Sequence, residues 1–80
     1  MIHITKETSH SADEVIRKAS DFFGPKGLGL EEKDRNECCI NLEGGGGYVS
    51  VTVVEEEGKR DVDIESKEWD YQAKRFLETI

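Results

Sequence analysis

The residues with chemical potential are few, and their spacing limits what they can do. Cys38 and Cys39 are the only cysteines and are adjacent. On an alternating strand one would point inward and the other outward, so the expectation is one small buried thiol and one exposed thiol. A disulfide between them would need a backbone that is not a strand. Zinc needs more Cys or His ligands at suitable spacing than this chain offers. His3 and His10 are the only histidines. His3 alternates away from Ile2 and Ile4, and a dyad with Cys39 would require the first strand to lie beside Cys39, with no third group to orient it.

Asp61, Asp63 and Glu65 share one face of a strand. At about 3.3 Å per residue they spread over ~13 Å, too far for all three to grip one Mg²⁺ or Ca²⁺. Gly44 to Gly47 has the composition of a phosphate cradle, but such loops lead into a helix with a lysine close behind. Here a valine-rich segment follows, and the next lysine is Lys59. The glycines read as a hairpin. The sequence therefore assigns no catalytic, cofactor-binding or metal-ligating residue, and the reading leans away from an enzyme.

The elements that position these residues centre on an antiparallel meander. Cys38, Ile40 and Leu42 alternate with polar residues, as do Val49, Val51 and Val53, then Val62 and Ile64. If Gly45-Gly46 is a two-residue loop, Leu42 faces Val49, Ile40 faces Val51 and Cys38 faces Val53. If Glu57-Gly58 is the next, Val53 meets Val62, Val51 meets Ile64, and Glu55 meets Arg60. Every apolar pair then falls on one face, and a slip of one residue would put Val62 and Ile64 in water. A weaker strand is expected through Leu28 and Leu30. An Asp34-Arg35-Asn36 loop would set Leu30 opposite Ile40 and Leu28 opposite Leu42, making this an edge strand. Gly24–Gly29 reads as a mobile loop of the kind that often binds ligands.

Before the meander, Met1–Thr5 alternates as a short strand. Ser11 and Glu14 form a capping-box signature, and Ala12, Val15, Ile16, Ala19, Phe22 and Phe23 recur at helical spacing until Gly24-Pro25. After the meander, Ser66 is the expected N-cap of a second helix. Its stripe is Trp69, Ala73, Phe76, Leu77 and Ile80, docked to the last residue.

The order strand, helix, four strands, helix predicts one small α+β domain over residues 1–80. The architecture expected is a two-layer sandwich, β-α-β-β-β-β-α, with two helices on one face of an antiparallel meander sheet. This order resembles the repeat unit of the TATA-binding-protein-like folds. The likeness is one of topology, which assigns no function. Helix, three strands, helix is also the order of double-stranded RNA-binding domains. Those present a basic N-terminus on the last helix, where this chain has Glu68 and Asp70.

Eighteen acidic against eleven basic residues give a formal charge of −7. That sign disfavours nucleic acid and anionic membranes, where basic side chains must displace counterions. No apolar run approaches the ~20 residues that cross a bilayer. The N-terminus lacks the order of a signal peptide, so the expected location is cytoplasmic.

What remains for function is the other sheet face: Glu31, Cys39, Asn41, Glu43, Tyr48, Ser50, Thr52, Val54, Asp61, Asp63 and Glu65. Within it Cys39, Asn41, Tyr48, Ser50, Thr52 and Asp63 are the candidate binding residues, a mixed polar and apolar surface suited to a modest interface. The leading expectation is a non-enzymatic interaction module that uses this face or the edge strand near Leu28. Its partner is another protein or a second copy of the chain, with no cofactor. The alternative is a small-molecule module with a cleft between the helices or under the Gly24–Gly29 loop.

Overall fold

In the computed structural model, which describes residues 1–80, the expected register holds between β-hairpin partners from Ile40 to Ile64, while Cys38, expected opposite Val53, lies outside the strand ladder. Seven elements follow in order: β1 (Ile2–Glu7), α1 (Ala12–Phe23), β2 (Glu31–Arg35), β3 (Cys39–Gly44), β4 (Gly47–Glu56), β5 (Lys59–Lys67) and α2 (Asp70–Leu77). The strands form one antiparallel sheet in the order β1-β5-β4-β3-β2. Leu42 pairs with Val49, Ile40 with Val51, Val51 with Ile64, and Val53 with Val62. Glu55 pairs with Arg60 and Glu56 with Lys59. Both hairpin turns have positive φ at their two central residues: 58° and 81° at Gly45 and Gly46, 50° and 80° at Glu57 and Gly58. That handedness matches the twist of the flanking strands.

The apolar residues of β3, β4 and β5 join Val15, Ile16, Ala19 and Phe23 of α1 and Ala73, Phe76 and Leu77 of α2 in one buried cluster. The two helices bring their aromatic rings together there. Phe76 lies 5.3 Å from Phe23 and 5.7 Å from Phe22, centroid to centroid. At the start of α1, Ser11 Oγ accepts from the Glu14 amide at 3.2 Å. The Glu14 carboxylate turns to His10 Nδ1 at 3.1 Å and to the Ser11 hydroxyl rather than back to the cap amide. The His10 contact holds the Glu14 carboxyl below the usual carboxylate range.

The structure departs from the sequence reading in several places. The strand expected at Leu28–Leu30 lies instead at Glu31–Arg35, where Glu32 pairs with Leu42 and Arg35 with Ile40 across a bulge at Lys33. The cause is the preceding loop. The Gly27 and Gly29 amides donate to the Gly24 carbonyl, and the Leu28 and Leu30 amides donate to Phe22 and Phe23. These bonds fold residues 24–30 back onto the end of α1, so Gly24–Gly29 is clipped down and not free. Leu30 is buried from this loop, while Leu28 is 41% exposed. Glu32 takes the place expected for Leu28 and Arg35 that expected for Leu30, and the Glu32 carboxylate accepts from Ser20 Oγ of α1 at 2.5 Å.

The first strand runs two residues further than expected, to Glu7, and pairs with β5. Ser66 is not a cap. The alternation of Val62 and Ile64 continues through it, so it is buried in β5 between Ile2 and Val49. Glu68, at φ 71°, then breaks the strand, and Trp69 takes the N-cap position. Trp69 Nε1 donates to the Gly44 carbonyl at 2.8 Å, tying α2 to the β3–β4 hairpin. A side chain at Gly45 would meet the Trp69 ring at 2.9 Å, so this turn needs glycine for space as well as for φ. The second helix ends at Leu77, earlier than expected, with Ile80 packed on the core from the turn beyond it.

A further departure is covalent. Cys38 and Cys39 are joined as a disulfide, so neither is a free thiol, and Cys38 is exposed rather than buried. The alternation argument fails because β3 begins only at Cys39. Cys38 belongs to the turn after β2, where its amide donates to Asn36 Oδ1 at 3.0 Å and the Asn36 amide donates to the Cys39 carbonyl.

Candidate functional site

Strand alternation leaves a second face on the sheet, and the observed registers arrange it in cross-strand rows. Cys39, Thr52, Asp63 and Thr5 make one row. Asn41, Ser50, Glu65 and His3 make the next, and Glu43, Tyr48 and Lys67 a third. Successive rows are about 7 Å apart, two residues along each strand. The six candidate residues thus occupy three adjacent rows, and all six are half-buried.

Hydrogen bonds stitch the rows together. Ser50 Oγ donates to Asn41 Oδ1 at 2.6 Å, which leaves the Asn41 amide nitrogen free to donate outward. Tyr48 Oη donates to Glu65 Oε2 at 2.7 Å, crossing from one row to the next. The carboxylate acceptor is the main reason the Tyr48 phenol is raised above the ordinary tyrosine value, with partial desolvation adding to it. Asp63 Oδ1 accepts from Thr5 Oγ1 at 2.9 Å and lies 2.6 Å from His3 Nε2.

Half of the candidate set converges. Asn41, Tyr48 and Ser50 line an open groove of about 900 Å³ that runs across the face beside the Gly44–Gly47 hairpin. Cys39, Thr52 and Asp63 lie outside it, toward the other end of the strands. The groove's charged residues are Glu31, Asp34, Glu43 and Glu65 against Lys33 and Lys67. The two lysines escaped the sequence reading for different reasons. Lys67 continues the alternation of Asp63 and Glu65 and was legible there, had β5 not been ended at Ser66. Lys33 sits at the bulge, which no pattern in a run of five charged residues announces.

The same geometry settles the Cys39–His3 dyad. β1 and β3 are separated by β5 and β4, about 14 Å at normal strand spacing, and Cys39 is in a disulfide. Two smaller depressions occupy the places named for a small molecule. One of about 310 Å³ lies between the helical segments at Lys18, Asp21, Phe22 and Thr79. The other, about 350 Å³, lies beside Pro25 and Lys26 and is lined by polar and charged residues such as Arg17, Ser20 and Glu32. No helix is long and apolar enough to cross a membrane. No protein-family model, curated protein or solved structure matches the chain.

Proposed function

We propose that this chain is a two-layer sandwich with both helices on the apolar sheet face, and that the polar face is a docking surface for another protein. The observation that carries the reading is the groove shared by Asn41, Tyr48 and Ser50. Polar residues make up most of its lining; Leu42 and Val49 border it but are fully buried, which leaves Tyr48 as its one accessible hydrophobic side chain. Small-molecule pockets are mostly apolar and enclosing, whereas non-obligate protein interfaces are no more apolar than the rest of the surface and trap water. Four carboxylates against two lysines, on a chain of charge −7, favour a partner whose facing segment is basic. The same sign disfavours nucleic acid.

The face is a better docking surface than the β2 edge. Glu31–Arg35 is an unbroken run of charged residues, which discourages pairing with a further strand. Tyr48 is the natural anchor, since tyrosine offers a large rigid area and a polar tip. The role is one of binding without catalysis.

Native mass spectrometry on protein purified gently from cells tests this directly. A retained protein partner is expected, and Tyr48→Ala should weaken its binding at least about tenfold, the effect of losing one central contact. A bare protein that also yields no cross-linked partner would overturn the reading. A retained small molecule would transfer the function to one of the two depressions near α1.

A further inference from the structure

We infer that the Cys38–Cys39 pair is a thiol–disulfide exchange site whose substrates are small or protein-borne dithiols. Three observations support it, none of which depends on the docking surface. The first is adjacency. A structural disulfide stabilises by closing a long loop in the unfolded chain, and the benefit grows with the residues enclosed. Between neighbours there is no loop to close. This cross-link therefore adds almost nothing to folding through chain entropy, and stability does not account for it.

The second is access. Cys38 is exposed in the turn after β2, outside the regular strand pairing, so a thiolate can reach its sulfur without opening the core. The third is provision for the reduced state. Asn36 Oδ1 lies 3.2 Å from Cys38 Sγ, an acceptor in place for a thiol S–H, while the backbone bonds of Asn36 and Val53 hold the turn without the sulfurs. Exposed disulfides of this sort are the ones that exchange readily.

The reaction balances as follows. A thiolate of the dithiol attacks Cys38 Sγ, forming a mixed disulfide as the Cys38–Cys39 bond breaks. Cys39 leaves as a thiolate and takes a proton. The second thiol of the reagent then attacks its own sulfur in the mixed disulfide and releases Cys38. Two electrons and two protons pass from the dithiol to the protein, and the reagent leaves as its cyclic or protein-bound disulfide.

The test is to treat the folded protein with dithiothreitol, quench at intervals with iodoacetamide, and count alkylated cysteines by mass spectrometry. A parallel sample is run in denaturant. Folded and unfolded protein should be reduced at rates within about tenfold of each other, since Cys38 is exposed in the folded protein. Circular dichroism of the reduced protein should be unchanged. Reduction more than tenfold slower in the folded state would overturn the inference, as would protein purified without reductant that already carries two free thiols. Trapping the mixed disulfide of the wild-type protein with a monothiol such as 2-mercaptoethanol, followed by tandem mass spectrometry, should place the adduct on Cys38, and an adduct on Cys39 alone would overturn the stated attack. Any of these failures leaves the partner-binding test of Tyr48 unaffected.

Discussion

The two faces of the sheet are built from the same five strands, yet they differ in what holds them. On one face Ile40, Val51 and Ile64 stack across β3, β4 and β5 with no exposed surface. On the other, one residue along, Asn41, Ser50 and Glu65 are half-buried and hydrogen-bonded. Burial is non-directional and scales with apolar area, so the first face supplies stability. Exposed polar pairs contribute little net free energy because water competes for the same groups. The second face can therefore be altered without unfolding the protein, which is the condition a docking surface needs.

The largest contrast should come from truncating one residue on each side. Phe76 is fully buried against Phe22 and Phe23, and Phe76→Ala should cost about 3–5 kcal/mol. For a domain of this length that is a large part of the total stability, on the order of 4–12 kcal/mol. Ser50→Ala removes the bond to Asn41 and should cost about 1 kcal/mol or less. Urea denaturation of both variants checks the pair. If Ser50→Ala costs as much as Phe76→Ala, the polar face is structural and the comparison breaks.

A second contrast sharpens the chemistry of the polar face. Tyr48 donates to a carboxylate that strengthens the bond and disfavours the phenolate. Its titration, followed by ultraviolet difference absorbance, should lie above the ordinary tyrosine value of about 10. Glu65→Gln should bring it down by removing the charge. The sign of the linkage follows from the raised value. This contribution to stability is complete below the unfolded phenol's pKa and is lost as pH rises through the folded one. A titration unmoved by Glu65→Gln would place the cause elsewhere.

What could be read from the sequence divides along similar lines. Where burial decides, residue type and period were sufficient. Val49, Val51 and Val53, with Gly45-Gly46 and Glu57-Gly58 at the ends, left one register that kept every apolar residue on one side. Where hydrogen bonds decide, they were not. Nothing in Gly24–Leu30 announces that four amides will turn back onto α1, so the sequence pattern places Leu30 in a strand and gives no sign of the bond from Ser20 to Glu32. Ser66 carries the composition of a cap, but β1 on one side and β4 on the other hold it in the sheet. The cysteine bond depended on β3 beginning one residue late, a boundary that alternation does not mark. The same is true of the candidate site. Asn41, Tyr48 and Ser50 followed from alternation, whereas their isolation in a groove from Thr52 and Asp63, and the presence of Lys33, depend on the bulge and the hairpin.

The smallest expected effect lies at a position that belongs to neither face. Glu57 occupies φ 50° at the tip of the β4–β5 hairpin, in the left-handed region that costs an ordinary residue about 1–2 kcal/mol. Its counterpart in the other hairpin is Gly45, which adopts φ 58° without that penalty. Asparagine tolerates the region and is the preferred partner of glycine in such turns, so Glu57→Asn should stabilise by about 0.5–1 kcal/mol. Removing one charge from the Glu55-Glu56-Glu57 run acts in the same direction. The melting temperature should rise by a few degrees, at about 4–8 °C per kcal/mol for a domain of this size. Glu57 lies outside the groove, so partner binding should be unchanged while stability rises. That combination would separate the two properties, with stability tuned at the turn and the apolar face and, on the proposed reading, recognition at Tyr48. A rise in stability that also altered binding would show that the groove's shape depends on the far hairpin, and the two faces could no longer be treated as independent.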